Sequence, residues 1–62
     1  MEWNERIIEI NKIKDYITEH VEVFASNNTL QFLYGSLNRC LLDLNEKEID
    51  NIVAKINKEL YD

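Results

Sequence analysis

TLQFLYGSLNRCLLDL, residues 29–44, is apolar on two sides at once. Projected at about 100° per residue, Leu30, Leu33, Tyr34, Leu37, Cys40, Leu41 and Leu44 form one broad stripe. Phe32, Gly35 and Leu42 fall nearly opposite, with Arg39 among them. The pattern predicts a helix from Thr29 to Leu44, the middle one of three. A chain of 62 residues has little with which to cover both faces. The second face is therefore expected to meet another molecule or a second copy of the chain.

Two polar breaks bound this stretch. Upstream lies Ser26-Asn27-Asn28-Thr29, rich in residues that favour caps and turns, with Asn28 and Gln31 as a weak capping pair. Downstream lies Leu44-Asn45-Glu46-Lys47-Glu48-Ile49. There Asn45 is placed to accept from the first amides of a new helix while Glu48 reaches back to the Asn45 amide. Leu44 and Ile49 sit at the positions of a hydrophobic staple.

Outside the breaks, Trp3 to Phe24 reads as a long first helix. Its stripe of Trp3, Ile7, Ile10, Ile17, Val21 and Phe24 alternates steps of three and four, is widened by Ile13, and is interrupted by Lys14. Glu46 to Leu60 reads as a last helix whose face of Ile49, Ile52, Val53, Ile56 and Leu60 is uninterrupted. Short connections predict antiparallel neighbours. The expected core is Ile7, Ile10, Ile17, Val21, Phe24, Leu30, Leu33, Leu37, Leu41, Ile49, Ile52, Val53, Ile56 and Leu60, with Trp3 and Tyr61 over the open end. The expected architecture is one all-α domain over residues 1–62, three-helix bundle-like, with a long first helix. The alternative is an α+β fold with a short hairpin near residues 20–34, because His20–Phe24 and Thr29–Tyr34 are rich in β-branched and aromatic residues.

Size and charge narrow the function. A domain this small buries only about 60% of its unfolded surface and is marginal without a staple. One cysteine excludes an internal disulfide, and one histidine with one cysteine cannot build a Cys/His zinc site. Self-association or the binding of a partner protein is what remains. Twelve acidic against seven basic residues give a net charge of -5, so no nucleic-acid or membrane-surface partner is expected. No basic leader and no apolar run of spanning length are present, which predicts a cytoplasmic protein with a reduced thiol.

Gly35 in a helix interior costs about 1 kcal/mol against alanine, and close approach of another helix over it would offset that cost. Phe32, Gly35, Arg39 and Leu42 line up at i, i+3, i+7 and i+10 as the candidate partner-binding face. The competing explanation is that the middle helix lies centrally between the other two. Lys14 reads as a side chain whose stem lies on the core and whose amine reaches water. Glu5, Glu9, Asp15, Glu19 and Glu22 make an acidic outer face on the first helix, relieved by Lys12; its ordinary explanation is solvation, its sharper one a docking surface for a basic site.

His20 reads as a boundary residue and Cys40 as a small core residue. A helix-turn-helix around Asn45 is disfavoured, because Glu46, Glu48 and Asp50 open the would-be recognition helix. No phosphate loop, His-Glu-x-x-His pattern or nucleophile elbow occurs, so neither catalysis, a cofactor nor a small-molecule substrate is expected. The expected function is a non-enzymatic protein–protein interaction module or regulator, homodimeric through the second face of the middle helix. The alternative is an inhibitor of the phage or mobile-element type that blocks a basic site on a host protein through the acidic face.

Overall fold

Ile49, Ile52, Val53 and Ile56 recur at steps of three and four, and the helix that carries them is the centre of the molecule. The computed structural model of the chain describes residues 2–61. Four helices follow in order: α1 (Trp3–Glu19), α2 (Val21–Ser26), α3 (Asn28–Asp43) and α4 (Glu46–Tyr61). The fold is all-α, and among the described residues there is no strand. The hairpin alternative is thereby overturned. Residues 20–34 form α2, a turn at Asn27 and the start of α3.

Helix α4 packs against α1 on one side and α3 on the other, while the backbones of α1 and α3 do not approach each other. All four of its apolar stripe residues are buried, and burial of each such side chain stabilises by about 1.5–3 kcal/mol. The central helix is thus the last one, not the middle one. The short Leu44–Asn45 connection makes α3 and α4 antiparallel neighbours, as expected. Helix α1, however, runs parallel to α4: Arg6 meets Asp50 near the starts of both helices, and Tyr16 meets Tyr61 near their ends. Trp3 and Tyr61 therefore sit at opposite ends of the bundle rather than together over one. Helix α2 bridges the top, touching both α1 and α3.

The long first helix ends at Glu19 instead of continuing to Phe24. Its neighbour sets that limit. Helix α4 has 16 residues, about 24 Å at 1.5 Å per residue, and Tyr16 already packs on its last described residue, Tyr61. A straight helix from Trp3 to Phe24 would span about 33 Å, beyond the 30 Å long axis of the molecule. The chain turns at His20 (φ -126, ψ 52), whose ring lies 4.4 Å from that of Tyr16. The turn brings Phe24 edge-on to Tyr34 at 5.8 Å.

The buried stripe of α1 is also turned, by roughly 45° at 100° per residue, from the one the apolar residues suggest. It runs through Arg6, Ile10 and Ile13, with Ile17 half-buried. Ile7 remains 52% exposed and Val21 61% exposed, so neither is core. Lys14 then lies outside the stripe, exposed, and no longer interrupts anything.

The reason is a charge that reads as polar in the sequence and is buried in the fold. Arg6 donates from Nε to Asp50 Oδ1 at 2.8 Å and from Nη2 to Asp50 Oδ2 at 3.0 Å. Its guanidinium stacks on the Trp3 ring at 4.9 Å, and the Trp3 indole N–H donates to Glu46 at 3.0 Å. A two-pronged Arg–carboxylate pair satisfies the donors that burial would otherwise orphan. The hydrogen bonds from Arg6 hold the Asp50 carboxyl below its ordinary range, against the opposing effect of desolvation.

Both connections of α3 are closed by local bonds. Asn27, not Asn28, is its cap: the side-chain oxygen accepts from Leu30 N at 2.9 Å, while the amide nitrogen donates to Glu59 on α4 at 3.1 Å. Gln31 reaches back to the Phe24 and Ala25 carbonyls and closes α2. At the other end Leu44 adopts a left-handed conformation (φ 53), donating to Leu41, while Asn45 donates to Cys40. Asn45 Oδ1 accepts from Glu48 N at 3.3 Å, half of the expected box. The Asn45 amide is used by α3, and Leu44 points outward, 68% exposed, rather than stapling Ile49.

Candidate functional site

Helix α3 presents two faces that differ in what they touch. On the inner face Leu30 and Leu37 are fully buried, and Leu33, Tyr34, Cys40 and Leu41 pack around them. On the outer face Phe32 is 73% exposed and Leu42 86% exposed. Gly35 and Arg39 are exposed between them. Beyond its chain neighbours and the backbone of its own helix, a Cβ placed on Gly35 would meet no atom of the described residues within 4 Å. The four residues read as a partner-binding face thus share one open side of one helix. Phe32, Gly35 and Arg39, with Gln31 and Ser36, frame a shallow depression that does not extend to Leu42.

Among the described residues nothing offsets what this face costs. Gly35 weakens the helix by about 1 kcal/mol, and none of the described residues uses the space the missing side chain leaves. Phe32 and Leu42 are largely exposed although about half a turn of rotation away the same helix buries Leu30 and Leu37 completely. Asn27 and Leu44 cap both ends of α3, and among the described elements α4 and α2 are those that lie against it.

Charge also separates α3 from the other helices. Its 16 residues include one base, Arg39, and one acid, Asp43, so it nets zero. Helix α1 carries Glu5, Glu9, Asp15 and Glu19 against Arg6, Lys12 and Lys14, a net of -1. Helix α4 carries Glu46, Glu48, Asp50 and Glu59 against Lys47, Lys55 and Lys58, again -1, and Glu22 adds -1 on α2.

The acidic residues do not form one continuous surface. Glu5, Asp15 and Glu19 are exposed on α1, and Glu22 lies beyond the turn at His20. Glu9 is half-buried, 3.6 Å from Lys12 Nζ and accepting from Asn57 Nδ2 at 3.5 Å. A groove of about 410 Å³ runs between α1 and α4, lined by Glu5, Ile8, Glu9, Asp50, Val53, Ala54 and Asn57. Ile8 on its rim is an exposed apolar residue the sequence stripe did not flag. It became visible only with the rotation of α1.

Cys40 stays at the edge of the core, and His20 is exposed at the end of α1 against Tyr16. Among the described residues no three of His, Cys, Asp and Glu are grouped to hold a metal ion. No helix of the described residues is long and apolar enough to cross a membrane. No family model, no curated protein and no solved structure matches the chain.

Proposed function

We propose that the protein is a small non-enzymatic interaction module, a cytoplasmic regulator that works by pairing with a second copy of itself through the outer face of α3. The observation that carries this reading is Phe32, an aromatic side chain left 73% exposed beside an open Gly35. Aromatic residues and arginine are the anchors that interfaces favour, with charged residues depleted at their centre. Two copies at -5 each repel, and α3 is the helix on which they can meet without adding like charges.

The magnitude sets the assay. Burying a Phe or Leu fully is worth about 1.5–3 kcal/mol. Scaled by the exposed fractions of Phe32 and Leu42 and doubled for two copies, the face supplies roughly 5–10 kcal/mol. Association costs at least about 4 kcal/mol. The net is about 5 kcal/mol at best, a dissociation constant on the order of 0.1 mM. Sedimentation equilibrium from micromolar to millimolar should therefore show the mass rising from 7.4 kDa toward twice that value. Phe32→Lys should shift that rise to at least tenfold higher concentration with an unchanged helical spectrum. A wild-type chain that stays at 7.4 kDa up to millimolar concentration would overturn the reading.

The groove between α1 and α4 supports a second reading, in which Glu5, Glu9 and Ile8 receive a basic site on a foreign protein. It is the weaker one, since Glu9 is already engaged by Lys12 and Asn57. Salt separates the two: binding through acidic side chains falls steeply with ionic strength, and binding through Phe32 and Leu42 does not.

A further inference from the structure

Resting on the reading of α3 as a self-docking face, we infer how the two copies meet: their α3 helices cross antiparallel about a two-fold axis at Gly35–Ser36, each Arg39 lying over the partner's Phe32. Phe32 and Arg39 are seven residues apart and project within about 20° of each other. Each lies about 5 Å along the helix from the Gly35–Ser36 midpoint, on opposite sides of it. A two-fold axis through that midpoint exchanges the two positions, so every guanidinium faces a ring, the geometry of a cation–π contact.

The charges of α3 select this orientation over the parallel one. In a parallel pair Arg39 faces the partner's Arg39, and Asp43 faces the partner's Asp43. In the antiparallel pair Asp43 faces the first turn of the partner's α3. Asp43 is the last residue of its own helix, and that last turn has no basic residue. An acid at a helix C-terminus is unfavourable, whereas beside a helix N-terminus it is favourable. The antiparallel crossing moves Asp43 from the first situation to the second. At the crossing itself stand Gly35 and Ser36, small enough to bring the two backbones to the short end of the usual 8–10 Å separation.

Two charge variants at one exposed position test the orientation, read by sedimentation equilibrium against the wild type. In the antiparallel pair Phe32→Glu places a carboxylate against the partner's Arg39, while Phe32→Lys places a cation there. Phe32→Glu should dimerise at least tenfold more tightly than Phe32→Lys, and the double variant Phe32→Lys with Arg39→Glu should recover most of that difference. In a parallel pair each variant faces its own copy, so all three would be weakened alike. Equal weakening with a dimeric wild type overturns the antiparallel pairing and leaves the α3 face as the contact. A monomeric wild type overturns both. Phe32 lies outside the core, and far-ultraviolet circular dichroism of each variant confirms that the helices are retained.

Discussion

Replacing Gly35 by alanine separates what the chain needs from what a dimer needs. Gly35 lies eight residues inside α3, at a position where glycine costs about 0.8–1.0 kcal/mol relative to alanine. Beyond its chain neighbours and its own helix backbone, the added methyl meets no atom of the described residues within 4 Å, so no packing strain subtracts from that gain. For a domain of this size about 1 kcal/mol moves the melting temperature by roughly 4–8 °C. Thermal melts followed at 222 nm and low micromolar concentration, where the chain is monomeric, should show Gly35→Ala melting higher by about that amount. At millimolar concentration the same methyl sits between two backbones at their crossing, and the advantage over wild type should shrink. A variant that melts at or below the wild-type temperature in dilute solution would mean that Gly35 already serves a contact within the chain. The reason for assigning it to a partner would then be gone.

Other perturbations report on the frame that holds α3 in place. Leu44→Gly removes a side chain that is mostly exposed from a left-handed residue; after the entropy of glycine in the unfolded chain, it should stabilise by about 0.5–1 kcal/mol in urea titration, and a loss would refute the strain assignment. Ile56→Ala empties a fully buried site on the central helix and should cost about 2–5 kcal/mol, a large share of the roughly 3–9 kcal/mol expected for this length; a cost under about 1 kcal/mol would contradict a core centred on α4. Asp50 has a folded-state pKa depressed by Arg6, so its contribution is present above the unfolded value near 4 and fades as pH falls through the lower folded one. Asp50→Asn should therefore be less stable than wild type at pH 7, with the gap closing as pH falls below the unfolded value near 4; a gap independent of pH would mean that the pair with Arg6 is not what Asp50 supplies.

How much of this was legible depended on whether a residue's partner was close in sequence. The α4 stripe of Ile49, Ile52, Val53 and Ile56 is apolar and uninterrupted, and its burial follows from spacing alone. The two faces of α3 were readable, because six apolar residues mark the inner one and Phe32 and Leu42 the outer, while Leu44, which the stripe also took in, caps the helix and points outward. The phase of α1 was not. Its true stripe begins with Arg6, which earns its burial from Asp50, 44 positions later. Nothing in a helical projection distinguishes such an arginine from a solvated one, and the projection instead recruited Ile7 and Val21. The turn at His20 was illegible for a similar reason: no proline or glycine marks it, and the helix stops where α4 runs out. The cap at Asn27 rather than Asn28, and the left-handed Leu44, were each missed by local rules that allow neighbouring solutions.

The docking role of α3 rests on which amides sense a second molecule. ¹H–¹⁵N spectra of the wild-type chain, recorded from about 20 µM to 2 mM to bracket the expected dissociation constant, would place the contact residue by residue. The account predicts shifts that saturate with concentration and centre on Phe32, Gly35, Arg39 and Leu42, with the amides of Ile49 to Ile56 unmoved. Shifts confined to Glu5, Ile8 and Glu9, or a spectrum unchanged across the series, would contradict it.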